Sequence, residues 1–321
     1  MTQNTSQKRK GMVLVTGGAG YVGSLLIPHL LQKNYGVVVL DNLMYRQHAL
    51  FPFFINKNFK FIKGDICDEA TVRQALKEVD FIVHLAAIVG EPACKRDPKL
   101  CYEVNQKATE LLNNLRTPEQ KLIFASTGSV YGKIEGVCTE ESLTNPVSDY
   151  AIAKLKAEEA IKTKPNYVIY RFATAFGLSS RPRLDLLIND FVYRALRQRV
   201  NIVYEAHFKR TFLHVYDMVR SFVFAIENFA NLKDQIYNVG SEAMNFTKED
   251  IAKKIAEHIP HYLHFADYGT DPDQRNYEVS YAKIKNKGFE TEIGIDDGIA
   301  ELVKGCESLH LHNPFSNIEA A

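Results

Sequence analysis

Met12-Val13-Leu14-Val15-Thr16-Gly17-Gly18-Ala19-Gly20-Tyr21-Val22-Gly23-Ser24 is the stretch on which the fold turns. Its first five residues form a short apolar run of the kind that suits a strand buried on both faces. Gly18, Gly20 and Gly23 then satisfy G-x-G-x-x-G at the point where the strand passes into the helical pattern YVGSLLIPHLLQKN (21–34). Glycines at that junction permit a tight turn, close approach of backbone to a pyrophosphate and close packing of the helix on the sheet, while the helix amino end supplies oriented N–H donors. Pro28 removes one backbone bond inside the helix and predicts a bend there. A glycine triplet alone can be only a turn, so its context decides. Asp41 closes the next strand-like run 21 positions after Gly20, where a carboxylate can accept hydrogen bonds from an adenosine ribose diol and repel a 2′-phosphate. The pair of signals predicts a dinucleotide cofactor, NAD rather than NADP.

The pattern repeats outward from this unit. GVVVLD (36–41), FKFIKGD (59–65), FIVHLAA (81–87), KLIFAST (121–127) and YVIYRFA (167–173) are apolar runs of strand length. Helical periodicity lies between them, as in Val104, Ala108, Leu111, Leu112 and Leu115, or around Ile152, Leu155 and Ile161. Alternation of strand and helix predicts an α/β fold with a Rossmann-type, doubly wound parallel sheet, whose right-handed crossovers gather the strand carboxyl ends along one edge. Beyond residue 177 the alternation breaks: GLSSRPRLDLL (177–187) reads as a loop, NDFVYRALRQ (189–198) as a helix, and the chain past Gly240 mixes short helices with Asp/Gly/Pro turns. The expected organisation is a flexible leader over 1–11, an NAD-binding domain over 12–177 to which 211–240 returns, and a smaller C-terminal substrate-binding domain from 178–210 and 241–321.

Composition narrows the partners. The 321 residues carry 39 Lys+Arg against 38 Asp+Glu, a net charge of +1, so no global field draws the chain to nucleic acid or an anionic membrane. With 46% hydrophobic and 24% charged residues it reads as a globular protein with a substantial core. Cys67, Cys94, Cys101, Cys138 and Cys306 show no CxxC or Cys/His metal spacing, which predicts reduced thiols in a cytoplasmic protein and no metal site. The start MTQNTSQKRKG is polar and basic with no apolar run after it, unlike a secretory signal, and no run of 18 apolar residues occurs to span a membrane.

Thr16, Gly17, Gly20 and Gly23 also spell TGxxGxxG. Together with the downstream segments DI (65–66), LAA (85–87) and EVNQKAT (103–109), this makes the chain resemble an extended short-chain dehydrogenase/reductase of the nucleotide-sugar epimerase/dehydratase family, from about residue 12 to about residue 300. The resemblance implies that Gly17, Gly20, Tyr21, Val22, Gly23, Asp41 and Asn42 bind NAD. It sets Asp65 and Ile66 near the adenine, Leu85, Ala86 and Ala87 beside the cofactor, and Asn105 in support of the nicotinamide end. It also implies a homodimer, built on the helices around 100–115 and 150–162.

Tyr150-Ala-Ile-Ala-Lys154 places a phenol and an ammonium four residues apart, on one face of a helix. A phenol titrates near 10, but a cation beside it favours the phenolate, so Tyr150 becomes a base for a sugar hydroxyl as hydride leaves the same carbon. Lys154 would also hold the nicotinamide ribose. Upstream, Ala125-Ser126-Thr127-Gly128-Ser129-Val130-Tyr131-Gly132 is similar to the family's strand end that presents a hydroxyl; register makes Thr127 that residue, next to the reacting oxygen. The family's 4,6-dehydratases carry Asp and Glu at the two following positions. Gly128 and Ser129 stand there instead, which argues against water elimination and also against decarboxylation of a uronic acid.

For the substrate diphosphate the family pattern offers Arg210, in KRTFLHV, and Arg275, in DPDQRNYEVS. Thr174 occupies a position where the family usually has an Asn near the phosphates. His84 and His214 sit inside apolar runs and read as structural. The Arg-rich segment SSRPRLDLLINDFVYRAL is a candidate wall of the sugar or base pocket and looks most like members from bacterial polysaccharide gene clusters, some acting on GDP-heptoses. The expected function is NAD-dependent oxidation at C4 of a nucleotide-linked sugar, as a 4-epimerase. Two alternatives stand beside it: a 4-dehydrogenase that releases the 4-ketosugar, and a non-enzymatic NAD(H)-binding regulator.

Overall fold

Side chains alternate across a strand, and in the first strand Val13 and Val15 pack into one buried cluster while Leu14 packs into another. Val37 and Val39 against Val38 and Leu40 repeat this division in the second strand, and Ile123 against Leu122 and Phe124 in the fifth. A sheet buried on both faces must be covered on both, which fixes three layers. The computed structural model describes residues 9–134, 136–266 and 278–309. Its strands are β1 (Met12–Thr16), β2 (Gly36–Asp41), β3 (Phe59–Lys63), β4 (Phe81–His84), β5 (Lys121–Thr127), β6 (Val137–Cys138), β7 (Tyr167–Phe172), β8 (Thr174–Phe176), β9 (Val200–Tyr204), β10 (Lys209–His214), β11 (Gln235–Val239), β12 (Asn245–Thr247), β13 (Tyr262–Ala266) and β14 (Glu278–Val279). The helices are α1 (Gly23–Gln32), α2 (Glu69–Ala75), α3 (Glu91–Arg96), α4 (Pro98–Tyr102), α5 (Ala108–Leu115), α6 (Asp149–Ile161), α7 (Leu187–Arg197), α8 (Val215–Glu227), α9 (Phe229–Leu232), α10 (Lys248–His258), α11 (Ala282–Lys285) and α12 (Ile295–Ser308).

Seven strands form one parallel sheet in the order β11-β7-β5-β4-β1-β2-β3. The six runs read from the sequence are all present in it, and the seventh strand, β11, comes back to the edge beside β7. The face of Val13 and Val15 is covered by Leu26, Ile27 and Leu30 of α1 and by Val219, Phe222 and Ile226 of α8. The opposite face is covered by Val72 and Ala75 of α2, Leu112 of α5, and Ala157 and Ile161 of α6. Helix α1 runs on through Pro28 from Gly23 to Gln32. The chain winds outward from β1 to β3 and then returns on the other side through β4, so a crevice opens at the carboxyl ends of β1 and β4.

A separate buried cluster gathers Ile188, Val192 and Ala195 of α7, Ile251 and Ile255 of α10 and Ile299 and Leu302 of α12 around Phe176 and Phe212. Small sheets accompany it: β8 pairs parallel and β12 antiparallel with β10, and β9 pairs parallel with β13. His84 and His214, expected to be structural, are both buried. His84 bridges the hydroxyls of Thr16 and Thr109 at 2.7 and 3.0 Å. His214 holds Glu301 through Nε2 at 2.8 Å and accepts the Tyr216 N–H at the start of α8.

The cysteines depart from expectation. Cys94 and Cys101 are joined as a disulfide, leaving Cys67, Cys138 and Cys306 as thiols. The two lie seven positions apart, a spacing that motif reading does not pick out, but the break between α3 and α4 at Asp97 folds the chain back until the two Cα atoms are 5.0 Å apart.

One buried charge pair pins α6 to the sheet. Glu158 is fully buried and accepts Ser126 Oγ of β5 at 2.5 Å together with Arg171 Nε and Nη2 of β7 at 3.1 and 2.7 Å. Removing one member of such a pair leaves an uncompensated charge in the interior, at a cost of about 3–5 kcal/mol. Glu158→Ala is therefore expected to lower the unfolding free energy by roughly that amount in urea titrations, and a loss below about 1 kcal/mol would contradict the arrangement.

Candidate functional site

Over the carboxyl ends of the central strands lies a cavity of about 1040 Å³ that extends from the glycine turn to α7, β10 and the start of α10. Its floor is set by close contacts at the end of β1. Gly17 has φ of +68° and a Cβ there would sit 2.7 Å from the Ala86 backbone nitrogen, so the left-handed turn and the approach of the chain leaving β4 both require glycine. A Cβ at Gly23 would lie 2.5 Å from Gly18 Cα, which is how closely α1 rests on the turn. The Thr16 hydroxyl accepts the N–H groups of Leu85 and Ala86 at 3.2 Å and locks the exits of β1 and β4 together.

Gly17, Gly20, Tyr21, Val22 and Gly23 line this end of the cavity, as do Asp41, Asn42, Asp65 and Ile66, and Leu85, Ala86 and Ala87. Asp41 is buried at the end of β2, accepting Ala19 N–H at 2.9 Å on one oxygen and Leu43 N–H at 2.8 Å on the other. Burial raises its pKa and those two bonds oppose the shift. Each oxygen keeps lone-pair capacity for a diol. Asn42 donates to Asp65 at 3.2 Å, joining the ends of β2 and β3. The Tyr21 hydroxyl donates 2.7 Å to the carbonyl of Gly177, tying the turn to the segment that leaves β8. The surroundings fit an NAD molecule: a glycine turn at a helix amino end for the pyrophosphate, a buried carboxylate for the ribose and the Asp65–Ile66 edge for the adenine.

Thr127, Tyr150 and Lys154 also line the cavity. Thr127 ends β5, and its hydroxyl donates to Ser129 Oγ at 3.0 Å and accepts Ser129 N–H at 3.1 Å. Tyr150 and Lys154 stand one turn apart on α6, whose start is capped by Ser148. The Lys154 side chain is 2% exposed and its nitrogen lies 4.3 Å from the centre of the Phe124 ring. Burial lowers its pKa to about 7, and the carboxylate of Glu158 one turn further along α6 works against that shift. A phenolate at Tyr150 would draw it back up for the same Coulombic reason.

Asn105 is not on the cavity wall. It lies buried in the wide turn Glu103–Lys107, where Oδ1 accepts Ile88 N–H at 2.8 Å and Nδ2 donates to Ile88 O at 2.9 Å, and Ile88 lines the cavity. Thr174 and Arg210 also line the cavity, Arg210 buried; Arg275 lies outside the described residues. Several wall residues carried no usable signal in the sequence. Glu91 accepts the backbone N–H of Tyr150, and burial raises its pKa. Lys248 is buried, with its ammonium on the Tyr204 carbonyl. Arg181 and Arg183 come from the Arg-rich segment that the sequence did mark, and both are buried in the wall. Among the described residues no helix is long and apolar enough to cross a membrane.

Comparison with known proteins agrees with this geometry. A model of the NAD dependent epimerase/dehydratase family matches residues 13–240. The chain is 29% identical to an uncharacterized UDP-glucose epimerase of Bacillus subtilis, over 93% of this chain and 98% of that one. It is 28% identical to a dTDP-glucose 4,6-dehydratase of Streptomyces niveus, over 91% of each. Among solved structures, the UDP-glucose 4-epimerase of Thermus thermophilus in complex with NAD superposes with a TM-score of 0.81 at 25% identity, over 92% of this chain and 99% of that one.

The state of Lys154 has a measurable consequence. Its folded pKa of about 7 lies below the unfolded value of about 10.4, so between these the unfolded chain binds the extra proton and this residue's penalty falls as pH rises. Lys154→Met is expected to stabilise the cofactor-free protein at pH 7, with a gain that shrinks towards pH 10; urea titrations at the two pH values check it, and a pH-independent difference would refute the burial of the ammonium.

Proposed function

The chain belongs to the NAD dependent epimerase/dehydratase family, and we propose that it is a nucleotide-sugar 4-epimerase, oxidising C4 of the sugar and re-reducing the ketone from the other face. When bound, NAD supplies the acceptor and donor of the hydride. Tyr150 takes the proton of the C4 hydroxyl as the C4–H bond breaks and gives it back when the ketone is reduced, so that sugar and protein end with the atoms they started with. Thr127 holds the reacting oxygen, its hydroxyl free to exchange Ser129 for the sugar. Lys154 lowers the cost of the phenolate and reaches the nicotinamide ribose. For the substrate diphosphate the family pattern offers Arg210 and Arg275, with Thr174 at the position near the phosphates. Gly17, Gly20, Tyr21, Val22, Gly23, Asp41, Asn42, Asp65, Ile66 and Leu85 to Ala87 hold the cofactor, with Asn105 acting through Ile88.

The observation that carries epimerisation over dehydration is the turn Gly128–Tyr131 directly after Thr127. Dehydration needs a base for C5 and an acid for the departing hydroxyl at this strand end. Gly128 offers no side chain, and the Ser129 hydroxyl, which accepts from Thr127, is too weak an acid for the one task and too weak a base for the other. We further propose that 12–177 with 211–240 forms the cofactor domain, that 178–210 and 241–321 form the substrate domain, and that the enzyme is a cytoplasmic homodimer. Leu100, Tyr102 and Ile152, exposed on and beside α4 and α6, support the dimer as an apolar face for a second copy.

Proton NMR of the full chain with catalytic NAD and UDP-, GDP-, dTDP- and CDP-sugars tests the reading. An epimer without net NADH is the expected result; a 4-keto-6-deoxysugar, or a ketosugar formed in step with NADH, would replace it with a dehydratase or a dehydrogenase. Tyr150→Phe is expected to lower turnover by about 10²–10⁴-fold while NAD affinity, read by calorimetry, stays within about twofold of the parent.

A further inference from the structure

The segment leaving β8 carries two arginines back over the cavity. Arg183 has a partner in Asp185, which takes both Nε, at 3.0 Å, and Nη2. Arg181 has none. Its side chain is 4% exposed, its Nε is buried without an acceptor, and among the described residues no carboxylate lies within ion-pair distance of it. The guanidinium carbon sits 4.5 Å over the ring of Tyr45, a contact that offsets part of the desolvation of a cation and satisfies none of its N–H donors. Burial and the charge of Arg183 disfavour its cation, while Tyr45, Asp185 and Asp41 act the other way.

A buried fork of donors aimed into a cavity is built for an anion, and its surroundings indicate which one. Tyr45 and Asp41 lie on the cofactor side of the cavity with the Gly17–Gly23 turn. Arg183, beside Arg181, is close enough to influence Tyr21 in that turn. The substrate-side cations Arg210 and Lys248 come from β10 and α10 instead. We propose that Arg181 is a clamp on the diphosphate of the bound cofactor, closing on the anion from the side opposite the amino end of α1. The pyrophosphate is then held between a helix dipole on one lobe and an arginine carried by the chain segment that enters the other. The inference uses only the binding of NAD and holds whichever sugar reaction the chain performs.

Isothermal titration of the cofactor-free full chain with NAD, ADP, adenosine and UDP decides it. Arg181→Ala is expected to weaken NAD and ADP together by about 10- to 100-fold, the range for charge-assisted hydrogen bonds, and to leave adenosine and UDP unchanged. Arg181→Lys, which keeps the charge but loses the fork, should fall between. Unaltered NAD affinity in a folded Arg181→Ala protein, checked by its thermal transition, would overturn the clamp, as would a loss confined to UDP, which would assign the guanidinium to the substrate. If Arg181→Ala does not fold, Arg181→Lys is read alone, and NAD affinity equal to the parent overturns the proposal.

Discussion

The structure depends on how closely α1 comes down onto the turn after β1. Gly23 and Gly18 meet at a distance that leaves no room for a Cβ, and this contact carries the amino end of the helix to the edge of the sheet. Everything at that edge is then tied to it. Asp41 reaches from β2 to the Ala19 N–H, and Thr16 holds the first two amides after β4. Three adjacent strand ends are thereby fixed with respect to one helix end, and an anion site made of backbone dipoles exists before any ligand arrives. Such a site requires no net charge, which is how a chain with a balance of +1 can bind a dinucleotide and a sugar nucleotide together.

The end of the cavity where Tyr150 and Lys154 stand rests on a buried charge rather than on close packing. Lys154 is enclosed by Phe124 on one side and supported by Glu158 behind it. Glu158 is in turn committed to Ser126 and Arg171. Tyr150, Lys154 and Glu158 succeed each other at four-residue spacing along α6, so one helix face runs from the phenol in the cavity to an ion pair in the core. An ammonium at that depth destabilises the empty protein and becomes useful only when a phenolate or a ribose replaces the water it has lost. On the role proposed for Lys154, function is kept at the expense of stability, as expected where a titratable group must be perturbed to work.

The sequence made the sheet legible because parallel strands buried on both faces leave continuous apolar runs, and each of the six starts where it was expected and ends within three residues of the expected end. The glycine turn, Asp41 and the Tyr150–Lys154 pair were readable because their chemistry needs fixed local spacing. What stayed hidden depends on long-range folding. The Cys94–Cys101 bond arises from a chain reversal at Asp97 that no cysteine motif announces. Glu91 meets Tyr150 across 59 positions, and Glu158 meets Arg171 from a different element. Arg181 lay in a segment marked as Arg-rich, but which of its arginines has a carboxylate partner and which does not is a property of packing alone.

That distinction bears on how an epimerase of this design would operate. Returning hydride to the opposite face requires the ketosugar to turn over while both ligands stay bound, so the grip on each ligand has to be concentrated away from the sugar. On our proposals the cofactor is held along β1, β2 and β4 and by Arg181, and the nucleotide end of the substrate by Arg210 of β10. Between them the strand end at Thr127 is followed by Gly128, with no side chain, and by Ser129, buried and turned back onto Thr127. On the proposed epimerisation, the cavity of about 1040 Å³ gives the ketosugar space to turn beside this strand end. A carboxylate at either position would gain a base for C5 and at the same time hold the ring in one orientation, so the side chains that make elimination possible are also the ones that oppose rotation.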